Sequence, residues 1–205
     1  MDTVDVIIPA YHPGKEFEML LKTICKQDYP IENILVMNTE EKFWNPVWEK
    51  DFPKVKVHHL KKEEFDHGGT RGKAATLSKA DIMVFMTQDA IPADNRLIGR
   101  LVHPFTENPQ IGAAYARQLP RKESTILERY TRQFNYPAES REKTQADIQA
   151  LGIKTYFCSN VCAAYRKNIY EENGGFVKKA IFNEDMIYAG TIAKKGYGIA
   201  YVADA

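Results

Sequence analysis

The sequence predicts an α/β fold, with a mostly parallel central sheet covered by helices on both faces. Two patterns predict it. Short, near-continuous apolar runs recur at Val4–Pro9, Ile34–Met37, Ile82–Met86 and Ile111–Tyr115. Runs of that kind mark strands buried on both faces, the habit of parallel sheets. Helical periodicities separate them, and strand–helix alternation is the signature of this class. The length of 205 residues suggests one domain with a sizeable core.

The elements follow in order. Val4–Pro9 is a strand ended by its proline, and Phe17, Leu20, Leu21 and Ile24 then repeat at i, i+3, i+4, i+7. That spacing places them on one helical face. Ile34–Met37 is the second strand and Val55–Leu60 the third. A short helix is expected over Gly69–Lys79 and a strand over Ile82–Met86. Leu97, Ile98, Leu101, Val102 and Phe105 give another helical face, followed by the strand Ile111–Tyr115. Beyond it, strands are expected at Lys154–Ala164 and Tyr197–Val202, with a helix starting near Glu184. Residues 117–145 differ in character. Seven basic side chains (Arg117, Arg121, Lys122, Arg129, Arg132, Arg141, Lys143) face four acidic ones, with Tyr130, Phe134 and Tyr136 interleaved. Such a stretch is either a solvated helix or a face turned to an acceptor near a membrane surface.

Composition excludes several classes. A formal net charge of +1 argues against nucleic acid as a partner. No apolar run approaches the ~20 residues of a membrane span. MDTVDVIIPAYHP lacks the basic start of a signal peptide. Three cysteines without that signal point to a reducing, cytoplasmic compartment. Cys158 and Cys162, four apart on the expected strand, would face the same side. The chain stops at Ala205 without a polar tail, which suggests truncation at the C-terminus.

In open α/β sheets ligands bind beyond the carboxyl ends of the strands, so the residues there are the candidates. Pro9-Ala10-Tyr11-His12-Pro13-Gly14 follows the first strand, as a plain turn or as a loop that packs a nucleobase. Neither G-x-G-x-x-G nor G-x-x-x-x-G-K-[ST] occurs, so dinucleotide dehydrogenases and P-loop NTPases lose their main support. Asn38-Thr39-Glu40-Glu41 follows the second strand; Glu40 suits a ribose or base contact, or simply solvent. Asp66-His67-Gly68-Gly69-Thr70-Arg71 follows the third. Paired glycines permit a tight turn and close backbone approach. Asp66 suits a base N–H, and Arg71 a phosphate or a carboxylate. The fourth strand ends abruptly in Thr87-Gln88-Asp89, placing one carboxylate where Mg²⁺ or Mn²⁺ would bridge phosphates. Ile181-Phe182-Asn183-Glu184-Asp185 sets two carboxylates at a helix start, for dipole reasons or as a catalytic base.

Taken together, I-I-P-A-Y, D-H-G-G-T-R, T-Q-D-A and N-E-D in this order resemble the inverting family 2 glycosyltransferases of GT-A type fold. D-H-G-G-T-R with T-Q-D-A, and Phe157–Arg166, look most like bacterial rhamnosyltransferases of polysaccharide assembly. The resemblance implies a nucleotide-sugar donor, dTDP-rhamnose or a UDP-sugar, and a saccharide or lipid-linked acceptor at the inner membrane face. It implies that Pro9, Ala10 and Tyr11 line the nucleobase pocket, that Asp66 bonds the base and that Arg71 lies near the diphosphate. Gln88-Asp89 would replace D-x-D, with Asp89 on Mg²⁺ or Mn²⁺, and Asp185 would be the general base. Arg117, Gln118, Ser159, Asn160 and Glu184 would lie on the acceptor side. Residues 1–116 would form the nucleotide-binding half and 117–205 the acceptor-binding half of one catalytic domain. Three departures stand out. Thr87 replaces the first D-x-D carboxylate, Asn38-Thr39-Glu40 replaces an Asp-Ser-like turn, and Gly72 replaces an Asn. The rival expectations are a nucleotide-sugar binding domain without turnover, and a nucleotidyltransferase. Donor-dependent stabilisation without transfer would favour the first. The second usually carries a basic Gly-rich loop near the N-terminus, which Pro9–Gly14 is not.

Overall fold

The computed structural model describes residues 1–205 except Lys122 and Ile181. The parts of the basic stretch and of the I-F-N-E-D motif that fall on those two residues lie outside the described residues.

Eight strands form one sheet in the order β3-β2-β1-β4-β7-β5-β8-β6. They are β1 (Val4–Tyr11), β2 (Asn33–Thr39), β3 (Val55–Leu60), β4 (Ile82–Met86), β5 (Ile111–Ala116), β6 (Arg141–Lys143), β7 (Cys162–Arg166) and β8 (Gly198–Val202). The β3-β2-β1-β4 half is wholly parallel. β7 is antiparallel to both β4 and β5, and β6 is antiparallel to β8. The expectation of a mostly parallel sheet therefore holds, with β7, from late in the chain, inserted between β4 and β5.

The period of two along the strands divides the core. On β1, Val4, Val6 and Ile8 join one apolar cluster with Phe17, Leu20, Leu21 and Ile24 of α1 (Lys15–Ile24). Leu97, Ile98, Leu101, Val102 and Phe105 of α4 (Leu97–Glu107) complete that face. Ile7, between them, points to the other cluster, with Ala74 and Ala75 of α3 (His67–Leu77) and Tyr188 and Ile192 of α8 (Glu184–Lys194). Shorter helices are α2 (Val47–Asp51), α6 (Ile148–Leu151) and α7 (Lys167–Glu172). α5 (Ile126–Asn135) buries none of its residues.

Four expectations are corrected. The strand expected at Lys154–Ala164 is a 3-10 turn over Gly152–Tyr156, then a loop, then β7 from Cys162. Cys158 and Cys162 consequently sit in opposite core clusters rather than on one side. The Gly68-Gly69 pair is not a turn but the first turn of α3, which starts at His67 rather than at Gly69. Within the basic stretch, Tyr136 and Lys143 are buried, at 5% and 4% exposure.

Candidate functional site

The carboxyl edge of the parallel strands gathers the candidate residues. Among the described residues, the non-glycine residues with left-handed backbone are His12, Glu40, Lys179 and Asn183. His12 and Glu40 follow β1 and β2, and the other two lie in the segment leading to α8. Such conformations cost energy and persist where the surrounding structure enforces them, commonly at ligand sites.

At the end of β1 the Gln88 side chain acts as a substitute strand residue. Its Oε1 accepts from the Tyr11 backbone N–H at 2.9 Å and its Nε2 donates to the Tyr11 carbonyl at 3.0 Å. Both ends of the amide are thus engaged, so Gln88 fixes the loop that carries Tyr11. The Tyr11 ring meets His12 edge-on, with centroids 4.2 Å apart, and His12 lies against Phe43 at 3.3 Å. Glu40, on the same rim, pairs with Lys42 at 2.7 Å. Hydrogen bonding to Lys42 holds its carboxyl below the ordinary range. Pro9 and Ala10 continue β1, and Ala10 is buried.

Asp66 caps α3. Its Oδ1 accepts from the Gly69 N–H at 2.6 Å and from the Lys179 N–H at 3.1 Å. The two glycines explain their places sterically. A Cβ on Gly68 would lie 1.8 Å from the Val177 carbonyl oxygen, and one on Gly69 would lie 2.2 Å from Asp66 Oδ2. The D-H-G-G sequence therefore docks the 177–179 segment, which leads to α8, onto the start of α3.

Arg71 faces Glu184, not open solvent. Its Nη1 is 3.1 Å from Glu184 Oε1, and the two side chains are 5% and 6% exposed. Its Nη1 also donates to the His67 carbonyl at 3.2 Å, while its buried Nε has no partner. The same Glu184 oxygen accepts from Asn160 Nδ2 at 3.0 Å, and Asn160 Oδ1 accepts from the Tyr165 hydroxyl at 2.8 Å. Of the alternatives the sequence left open for Arg71, the carboxylate partner is the one seen.

This network sets Asp185. The Asn160 backbone N–H donates to Asp185 Oδ2 at 2.8 Å, and the Met186 N–H donates to Oδ1 at 2.8 Å. Asp185 is half-buried, and burial pushes its carboxyl above the ordinary range against those two hydrogen bonds. A carboxylate of raised pKa on a rigid helix start is suited to taking a proton. The loop that holds it continues toward Asp89. The Gln118 amide donates to Ser159 Oγ at 2.9 Å, and the Thr87 N–H donates to the Val161 carbonyl at 3.1 Å.

A cleft of about 690 Å³ opens beyond β4, β5 and β8, lined by Asp89, Arg117, Gln118 and Arg121 among others. Asp89 is exposed on its wall. Arg121, counted in the sequence only as one cation of the basic stretch, spans the rim, with Nη1 3.0 Å from Glu16 Oε1 and Nη2 3.4 Å from the Asp89 carbonyl. Asp185 and Tyr11 are not in the lining of this cleft. Among the described residues, no group of three or more His, Cys, Asp and Glu side chains is placed to hold a metal ion.

The family model described as Glycosyl transferase family 2 matches residues 5–174. The chain belongs to glycosyl transferase family 2. Two curated rhamnosyltransferases resemble it. It is 38% identical to the O-antigen chain rhamnosyltransferase RfbN of Salmonella typhimurium (strain LT2), over 98% of this chain and 64% of that one. It is 43% identical to the O-antigen chain rhamnosyltransferase WbaN of Salmonella anatum, over 69% of this chain and 45% of that one. The chain thus spans less than two thirds of the curated relatives it matches. Among solved structures, S. aureus TarS 1-349 in complex with UDP-GlcNAc superposes with a TM-score of 0.76 at 17% identity. That match covers 99% of this chain and 56% of the other. The mannosyltransferase PcManGT from Pyrobaculum calidifontis, in complex with GDP-Man and Mn²⁺, superposes at 0.70 with 20% identity. It covers 98% of this chain and 57% of the other. The fold is of the GT-A type. No helix of the described residues is long and apolar enough to cross a membrane.

Proposed function

We propose that this family 2 chain is an inverting glycosyltransferase that moves a sugar, rhamnose by its relatives' names, from a nucleoside diphosphate to a saccharide. The donor is dTDP-rhamnose or a UDP-sugar; the acceptor is free or lipid-linked, met in the cytoplasm at the inner membrane face. Residues 1–116 take the nucleotide and 117–205 the acceptor. Tyr11, held by Gln88, and Glu40 meet the nucleoside, with Asp66 at the base.

The observation that carries this reading is Asp185. It is fixed by the Asn160 N–H, raised in pKa by burial, and joined through the 159–161 loop to Gln118 and Thr87 of the cleft wall that also carries Asp89. Asp185 accepts the proton of an acceptor hydroxyl as its oxygen bonds to the anomeric carbon, and the bond to the nucleoside diphosphate breaks on the opposite face. Asp89 would hold Mg²⁺ or Mn²⁺, since it offers one exposed carboxylate, the oxygen ligand such ions take. Such an ion, when bound, neutralises charge on the leaving diphosphate.

Asp185→Asn is expected to lower kcat by about 10²–10⁴-fold and to leave donor affinity unchanged, read by transfer assay and by donor-induced thermal shift. Transfer at the wild-type rate by the Asn variant would remove Asp185 as the base.

A further inference from the structure

Arg71 ends the D-H-G-G-T-R motif and stands about one helical turn beyond Gly68. A Cβ on Gly68 would lie 3.5 Å from the Glu184 Cβ, so the first turn of α3 and the start of α8 are in close contact. Arg71 meets Glu184 there, inside the protein rather than at its surface. To contact a donor diphosphate, the guanidinium would have to leave the Glu184 carboxylate buried and unpaired, which is what makes breaking a buried pair costly. From Glu184 the contacts run on to Asp185. Asn160 is 3% exposed and uses both ends of its amide, Nδ2 on Glu184 and Oδ1 on the Tyr165 hydroxyl. An aspartate here would set two carboxylates against each other, and a leucine would leave Glu184 and Tyr165 each short of one hydrogen bond. With its side chain held at both ends, Asn160 presents its backbone N–H to Asp185 Oδ2. Tyr165 is fully buried on β7, the strand between β4 and β5, and its hydroxyl also meets Cys158 Sγ at 3.4 Å.

We infer that Arg71 and Tyr165 are positioning residues for Asp185, acting through Glu184 and Asn160, and that Arg71 is not a contact of the donor. They hold Asn160 from two sides, α3 through Arg71 and Glu184, the central sheet through Tyr165. The inference rests on the reading of Asp185 as the base. The Asn160 N–H lowers the Asp185 pKa, against the burial that raises it. The placement of Asn160 therefore sets both the direction of the carboxylate and the pH at which it ionises. Among the described residues, the other titratable groups about Asp185 are Glu184 and Arg71, paired with each other, and Cys158, Tyr136 and Tyr165. His67 is exposed and meets Arg71, with its Nδ1 3.4 Å from Nη1. Burial pushes the Cys158 thiol and the Tyr136 hydroxyl up to about 12 and the Tyr165 hydroxyl well above its ordinary value, so these three stay uncharged at neutral pH.

Tyr165→Phe isolates the idea. It removes one hydroxyl and no charge, from a side chain too deeply buried to touch a ligand in the cleft. The Asp185 carboxyl carbon, followed by ¹³C NMR as pH is lowered, reads its pKa without substrate. A loosened Asn160 holds the ionised carboxyl less well, so the pKa is expected to rise further in the variant, by up to about one pH unit. A hydroxyl that serves stability alone would leave it unchanged. In the transfer assay kcat should fall about 10–10²-fold, its acidic limb should move to higher pH by the same interval, and donor KM should stay the same. Arg71→Met/Glu184→Gln tests the other side. Removing both charges together leaves neither buried and unpaired, which keeps the test open should Tyr165→Phe not fold, as checked by far-UV circular dichroism. The double variant is expected to bind UDP and dTDP as the wild type does, read by calorimetry with Mn²⁺, and to lose kcat about tenfold. An Asp185 pKa equal in wild type and Tyr165→Phe overturns the positioning role of Tyr165. Nucleoside diphosphate affinity reduced tenfold or more in the double variant, with kcat kept, overturns that of Arg71 and returns it to the donor. Turnover retained by Asp185→Asn would remove the base itself, a failure of the reaction reading that the carboxyl titration, made without substrate, tells apart.

Discussion

The two adjacent carboxylates at the start of α8 have opposite surroundings. Glu184 is buried and spent on Arg71 and Asn160, whereas Asp185 is half-buried and meets only backbone donors. Glu184→Gln leaves the Arg71 charge buried without its counter-charge and is expected to cost about 3–5 kcal/mol of stability, measured by urea denaturation. A loss below about 0.5 kcal/mol, the range of surface substitutions, would show that the pair contributes little. Asp185 is tested by pH. Burial raises its native pKa, so between the unfolded and native values the native state holds more protons and stability falls as pH rises. In Asp185→Asn that dependence is absent. The variant also loses one acceptor, but that offset does not vary with pH. The melting temperature of Asp185→Asn relative to wild type is therefore expected to increase from about pH 4 toward neutrality. Transfer by the wild type should rise over the same interval, because the base must be ionised. A difference in melting temperature that stays constant with pH would show that the Asp185 pKa is not raised.

Elements differ in how far the sequence revealed them. β3 and β4 have the bounds their apolar runs suggest, because a run between polar or proline breaks has few alternatives. The run from Lys154 to Ala164 misled because apolar content does not separate strand from buried loop. Phe157 and Cys158 fill the core beside Tyr165 without pairing as a strand. At the site, Asp89 and Asp185 were legible as carboxylates at strand and helix ends. The Gln88 clamp on Tyr11 was not, because it joins residues 77 apart. Nor was the burial of Lys143, which the charge tally counts as one more surface cation. Its Nζ donates to the Phe157 carbonyl at 2.5 Å, the Lys154 carbonyl at 3.2 Å and the Tyr115 hydroxyl at 3.1 Å, tying β6 to the loop that leads to Ser159 and Asn160. Lys143→Met leaves two carbonyls without that donor and is expected to cost about 1–3 kcal/mol. Burial pushes the native amine down to about 8, from an ordinary value of 10.5. Between those values the unfolded chain holds more protons, so wild-type stability rises with pH there and the Met variant's does not. Parallel stability profiles for the two proteins over that interval would show that Lys143 titrates normally.

At the scale of the molecule, the question is whether the proposed nucleotide and acceptor halves are separable. The sheet argues that they are not. β7, from the acceptor half, pairs with β4 over Ile82–Met86 and with β5 over Ala113–Tyr115. Removing it would leave two central strands of the nucleotide half with unpaired edges, and such edges invite aggregation. The proposed division at residue 116 is then expected to be one of function within a single cooperative unit. Probes placed unequally test this. Trp44 and Trp48, the two tryptophans of the chain, lie together in the nucleotide half, with ring centroids 5.0 Å apart and Phe17 against both. Their fluorescence reports that half, while far-UV ellipticity also reports α5, α7 and α8 of the other. If the halves unfold together, the two signals trace one urea transition with the same midpoint and slope, the mark of two-state behaviour. The slope should also suit the area exposed by a whole domain of this size. A tryptophan transition displaced from the ellipticity transition would show that the nucleotide half folds on its own and that β7 only docks against it.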